Sequence, residues 1–251
     1  EQRSAAAGWL AFAPAALLSL GMLALFLDLS RKGHVWRFYL ALRPASPMSW
    51  GAWILVAVYP VSLLAALAGL DEGQARRVEA LAARAGLGAA ARAARALAAR
   101  RAACLRRANL ALGVALGVYT GVLLSTLGAR ALWASALLGP LFLVSGASTG
   151  AAFLLLFRLS GEERHLLERW DRAAIGLELA VLALFLVGLA TSGQASREAV
   201  ALLLGGPFTA AFWTLVVLGG LLAPAALGAL QGRLALRATA VAPALVLAGG
   251  L

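Results

Sequence analysis

AAIGLELAVLALFLVGLAT, residues 173–191, is an apolar run that carries one charge, Glu178. At about 1.5 Å per residue, such a run as a helix matches the ~30 Å hydrocarbon core of a bilayer. Strands in soluble proteins are far shorter, and a soluble helix exposes a charged face that this run lacks. Outward from it, comparable runs lie at 9–27, 51–70, 108–127, 134–157, 205–230 and 236–251, the last short for a span. The predicted fold is therefore all-α: a polytopic transmembrane helix bundle in one membrane domain over 1–251. Pro14, Pro60, Pro140, Pro207, Pro224 and Pro243 fall inside or at the edges of these runs. Membrane helices tolerate them, because neighbouring helices satisfy the freed carbonyls.

Composition excludes a single water-soluble domain. The 251 residues are 62% hydrophobic and 13% charged, with a mean hydropathy of +0.87. Soluble domains run near 45–50% apolar and about 25% charged. The net charge of +11 comes from 22 Lys+Arg against 11 Asp+Glu. If every run crosses once, Arg3, 71–107, 158–172 and 231–237 share one side and hold 16 of the 22 basic residues. Basic loops stay cytoplasmic, so the 71–107 side is expected inside, in the cytoplasmic (inner) membrane of a bacterium. The segment 74–107 reads as an Arg- and Ala-rich surface helix or pair of helices, broken near Gly86–Gly88 and lying near lipid headgroups. Nucleic acid is not an expected partner between two spans. The chain opens on Glu1 without a signal segment and closes inside an apolar run. About seven spans of an expected eight are present, the first being lost.

One cysteine, Cys104, leaves no disulfide framework, thiolate zinc site or cysteinyl iron–sulfur cluster. His34 and His165 both fall in polar connections, so no span carries an inward haem ligand. No haem or iron–sulfur cluster is expected in this chain, and any redox centre it uses is borrowed.

Gly113, Gly117 and Gly121 form one helical stripe, and Gly146 and Gly150 repeat the spacing. Such stripes bring helices close together. The hydroxyls beside them, such as Ser145 and Ser148, can bond their own helix. Tyr119 needs a partner if buried. Carboxylates at membrane depth are costly and point to function. Asp171 and Glu178 are seven residues apart, two helical turns, and share a face. Pairing along a proton route is one reading. Alternatively, Asp171 is an interfacial charge near Arg169 and Arg172, and Glu178 is satisfied by an arginine or a hydroxyl. Asp28 lies beside Arg31 and Lys32, a candidate helix-end ion pair.

The longest outside connection is DLSRKGHVWRFYLALRPASPMSW, residues 28–50, dense in aromatic and basic side chains. Aromatic belts explain part of this. A docking surface explains the rest, with Trp36, Arg37 and Arg43 as its anchors.

LDLSRKGHVWRFYLALRPASPMSWGAWIL (27–55) resembles the signature of the NrfD/PsrC family, membrane subunits of polysulfide reductase and its relatives. VYTGVLLS (118–125), LW (132–133), LFLVSGASTGAA (141–152) and the Asp171…Glu178 spacing also fit, in the family's order. Two departures are Ser30 in place of the usual Gly and Gly33 where Pro is common. The family's first helix, which carries polar residues credited with quinone contact, has no counterpart.

The resemblance implies a subunit that binds a quinone, menaquinone or ubiquinone, and no metal. It implies a ferredoxin-like iron–sulfur partner docked outside, usually with a molybdopterin catalytic subunit, and electron passage between the quinone pool and those clusters. By the same resemblance, Tyr119 matches the tyrosine near the quinone headgroup. Asp28, Arg31, Ser49 and Trp50 match the outer rim near the docked cluster, and Asp171 and Glu178 match an acidic pair associated with proton movement. The competing readings are a secondary transporter, against which the absence of a convincing internal repeat counts, and a purely structural anchor.

Overall fold

The computed structural model describes residues 5–40, 43–126, 131–157, 159–227 and 241–250. Among them six helices are long and apolar enough to cross a membrane: Gly8–Asp28, Pro47–Gly69, Ala102–Ser125, Leu138–Leu155, Gly161–Thr191 and Thr209–Leu227. They cover the first six expected runs. The seventh is represented by Val241–Gly250, the rest of 236–251 lying outside the described residues. So do Arg3, Arg130, Arg158, Arg233 and Arg237 of the charge count.

The helices start earlier than the apolar runs where the flanking residues cap or favour helix. Helix α4, Pro47–Gly69, begins on a proline whose fixed φ suits the first turn. Helix α9, Gly161–Thr191, begins at a capping box in which Ser160 and Glu163 satisfy each other's backbone N–H groups. Its 31 residues reach about 46 Å, longer than the ~30 Å apolar core, so its charged first turns extend beyond the apolar run. Helix α7, Ala102–Ser125, starts in an Arg/Ala stretch of good helix formers.

The chain divides into two compact units, Glu1–Leu116 and Gly117–Leu251. In the first unit, the short α1, Ala5–Leu10, leads into α2, Ala13–Asp28. A 3₁₀ turn, Lys32–His34, and α3, Trp36–Leu40, connect α2 to α4. The Ser19 and Tyr59 hydroxyls join α2 to α4 at 3.2 Å, and Ser62 donates to Asn109 Oδ1 of α7 at 2.6 Å.

The expected Arg-rich pair of helices is there: α5, Glu72–Arg84, and α6, Gly88–Arg100. Gly86 makes the break with φ +76°, a left-handed conformation that glycine adopts without a Cβ clash. Asp71 and Gln74 form a capping box at the start of α5, and Arg95 bridges to Glu79 across the hairpin at 3.2 Å. Ala66, Ala75 and Ala98 are buried where small side chains let helices approach closely. Gln74 also packs against α1 so tightly that a Cβ on Gly8 would overlap its carboxamide.

In the second unit, α8, Leu138–Leu155, packs along α9. Helix α10, Gln194–Leu204, returns against α9, and α11, Thr209–Leu227, and α12, Val241–Gly250, complete the packing. The middle of α11, Phe212–Leu222, is π-helical. Two apolar clusters hold this unit. One joins Leu138, Phe185, Leu189 and Val200; the other joins Ala152, Ile175, Leu221 and Val246. In lipid such clusters stabilise by close packing rather than by removal of apolar surface from water.

The glycine stripes divide in their use. A Cβ on Gly121 would overlap the backbone of Gly139, and one on Gly117 would press on Leu143 at 3.0 Å. Nothing lies within 4 Å of a Cβ on Gly113, Gly146 or Gly150. Only the Gly117–Gly121 part of the expected packing stripes therefore brings helices together among the described residues, and the second stripe faces outward.

Candidate functional site

The 28–50 connection folds into a cleft. Leu29 ends α2 in an extended conformation, the 3₁₀ turn and α3 fold the chain back, and Pro47 starts α4. The return is held by the signature's own side chains. Ser49 is buried and its Oγ accepts from the Arg43 N–H at 3.0 Å; the Trp50 indole donates to the Pro44 carbonyl at 2.6 Å. These bonds explain a Ser and a Trp at the start of α4: both close the Pro-x-Ser-Pro turn.

The cleft has a volume of about 480 Å3, and Arg31, His34, Arg37, Arg43 and Ser49 are among the residues lining it. The structure thus merges two expected sets: Arg31 and Ser49, matched to the quinone rim, share one cleft with Arg37 and Arg43, matched to partner docking. Asp28, Trp36 and Trp50 are exposed and do not line it. Asp28 makes no ion pair with Arg31 or Lys32 among the described residues. The Arg37 guanidinium lies 5.5 Å from the Trp36 ring centre, in cation–π range. His34 is a lining residue that sequence reasoning passed over. Its only signal was its place in a stretch of cationic and aromatic side chains.

Tyr119 lies in the second unit, partly exposed on α7. Its neighbours Gly117 and Gly121 face α8. Two residues correspond to about 200° of helical rotation, so Tyr119 is directed away from α8. Its hydroxyl makes no hydrogen bond among the described residues.

The acidic pair takes a definite arrangement. Ser148 is wholly buried and donates to Asp171 Oδ1 at 3.0 Å, and Asp171 is itself buried. Asp171 is thus held by Ser148 and makes no ion pair with Arg169 or Arg172 among the described residues; Arg172 donates to the Glu168 carbonyl at 3.2 Å. Two turns along α9, Glu178 lines a small crevice together with Ser145 of α8. Ser145 and Ser148 are one turn apart on α8. Two carboxylates on one helix thus lie beside two hydroxyls on the next. Ile175 stands between the carboxylates on α9, buried against Ala152, Leu221 and Val246. Ile175 makes the stretch of α9 between the two carboxyls apolar, whereas α8 presents Ser145 and Ser148 beside them. A crevice of about 20 Å3 adjoins Glu178, lined by Ser145, Thr149 and Gly220 among others. That volume holds about one water and no aromatic ring.

The pattern matches known proteins. The family model described as "Polysulphide reductase, NrfD" matches residues 2–251. The chain is 30% identical over 223 residues to the C subunit of polysulfide reductase from Wolinella succinogenes, covering 84% of this chain and 66% of that protein. It is 34% identical over 120 residues to an NrfD homolog of Haemophilus influenzae, covering 45% of this chain and 37% of that protein. With protein NrfD of Escherichia coli it shares 36% over 123 residues, 46% of this chain and 39% of that one. These matches span less than two thirds of each relative's own length. No solved structure matches. With the family model covering nearly every residue, and six apolar helices of spanning length beneath it, the chain belongs to the NrfD family of integral membrane proteins.

Proposed function

We propose that this chain is the quinone-binding membrane subunit of a respiratory oxidoreductase complex in a bacterial inner membrane. It passes electrons between the quinone pool and a ferredoxin-like iron–sulfur partner, itself joined to a molybdopterin catalytic subunit. The 28–50 connection faces outward and receives the partner through Trp36, Arg37 and Arg43, while the α5–α6 hairpin stays cytoplasmic. The observation that carries the reading is the Asp171–Ser148 pair, a buried carboxyl hydrogen-bonded inside an apolar bundle. Ionisable groups buried within a membrane helix bundle are expensive and point to function.

A bound quinone, menaquinone or ubiquinone, supplies two-electron, two-proton chemistry. The residues present fit it in two respects. Tyr119 has a phenol with no hydrogen-bond partner among the described residues, free to donate to a carbonyl oxygen. Arg31 and Ser49 share one cleft and are proposed as the ring's entry, with Asp28 and Trp50 exposed on the same connection. Asp171 and Glu178 are the proposed proton carriers, with Ser148 and Ser145 of α8 beside them. The Glu178 crevice accommodates water and excludes the ring, so proton delivery and ring binding are separate in this reading.

The test is turnover of the purified complex. Asp171→Asn keeps the Ser148 hydrogen bond but cannot carry a proton, and quinone turnover is expected to fall by about 10²-fold, the lower range for a lost acid–base group. Unchanged turnover in an assembled Asp171→Asn complex removes the pair from the mechanism.

A further inference from the structure

Arg31, Arg37 and Arg43 line one cleft of about 480 Å3, joined by His34 and, among the described residues, by no carboxylate. None of the three arginines makes an ion pair among the described residues. Like charges around a shared volume repel, and an anion placed among them relieves that repulsion. Guanidinium forks match phosphate oxygens in pairs.

The place of the cleft narrows the anion. It is built by the connection between α2 and α4, two helices long and apolar enough to cross a membrane, and where both cross, that connection falls near the level of lipid phosphates. Its lining is also amphipathic, because Leu29 and Met48 stand beside the arginines. A free anion uses only the polar half. A phospholipid uses both, with its phosphate among the guanidinium groups and its glycerol and first methylenes on Leu29 and Met48.

We propose that the cleft is a binding site for a phosphate-bearing anion, and that its occupant in the membrane is the headgroup of an anionic phospholipid. The site needs neither a quinone nor electron transfer, but it shares Arg31 and Ser49 with the proposed ring entry and Arg37 and Arg43 with the proposed docking face. A headgroup held here would lie against the face offered to the partner, as a lipid seated between subunits.

The test uses the full chain in phosphatidylcholine nanodiscs doped with phosphatidylglycerol. Retained phosphatidylglycerol is read by native mass spectrometry after exchange into detergent. The Arg31→Gln/Arg37→Gln/Arg43→Gln variant is expected to weaken retention about tenfold or more, from loss of charge-assisted hydrogen bonds. The Arg84→Gln/Arg92→Gln/Arg100→Gln variant removes the same charge from the α5–α6 hairpin and is expected to retain the lipid. Arg43→Lys guards against misfolding of the triple variant; it keeps the charge but loses the fork, and is expected to give an intermediate loss. Competition by lysophosphatidylglycerol but not by inorganic phosphate supports the lipid as source. Competition by inorganic phosphate alone overturns it. Equal losses in both triple variants overturn the site in favour of general electrostatics. Retention unaffected by the cleft variant, together with lost binding of a protein partner, assigns the cleft to acidic side chains of that partner and overturns the lipid.

Discussion

Asp171 and Ser148 are the residues on which the proposed proton chemistry turns. Their hydrogen bond joins two buried groups in a medium that offers no water, so removing one partner costs more than the bond is worth. Ser148→Ala leaves the carboxyl without its donor, and a loss of about 1–3 kcal/mol is expected, read as a lowered thermal midpoint in micelles. Ile175→Ala tests the barrier between the carboxyls. It is expected to destabilise by about 2–5 kcal/mol and to let water between Asp171 and Glu178, read as faster exchange of buried α9 amides. The seven-residue spacing made the shared face of this pair legible in sequence. The serine partners were not, because a hydroxyl in a membrane helix bonds its own backbone by default. Thr149 does so, donating to the Ser145 carbonyl at 2.8 Å. Only the packing of α8 on α9 decides which serines point across.

At the scale of elements, the helices follow the apolar runs while their ends follow the caps. The break at Gly86–Gly88 was readable because glycine stands where the backbone needs a positive φ. The early starts of α7 and α9 were less so, since charged residues that leave a hydrophobic run still propagate a helix. Glycine stripes are read from spacing alone, and spacing cannot tell a face that meets a helix from one that meets nothing. The α7–α8 crossing makes the difference measurable. Gly121→Ala forces a methyl into the Gly139 backbone and is expected to cost about 1–3 kcal/mol by overpacking. Gly113→Ala, with nothing within 4 Å, is expected to be neutral or slightly stabilising through helix propensity. Thermal unfolding of the two variants side by side checks the contrast.

For the molecule as a whole, the excess of arginine sorts into a topological signal and a local one. The hairpin arginines carry the charge bias read in the sequence as cytoplasmic, whereas the cleft arginines line one volume. Sequence separated the 28–50 residues into a quinone rim and a docking set because motif matching assigns roles position by position. Folding brings Arg31, Arg37, Arg43 and Ser49 to one lining, and that proximity is a property of the turn closed by Ser49 and Trp50. The single cysteine gives a direct check of orientation. Cys104 is exposed at the start of α7, so a membrane-impermeant thiol reagent is expected to label it from the cytoplasmic side in inverted vesicles and not in intact cells. The proposal that this chain handles quinone is tested most directly by reconstituting the purified complex in proteoliposomes and measuring quinone turnover for wild type and Tyr119→Phe. Loss of the phenol hydrogen bond is expected to slow turnover by about tenfold with the complex still assembled. Turnover equal to wild type, or an assembled wild-type complex that turns over no quinone, would contradict it.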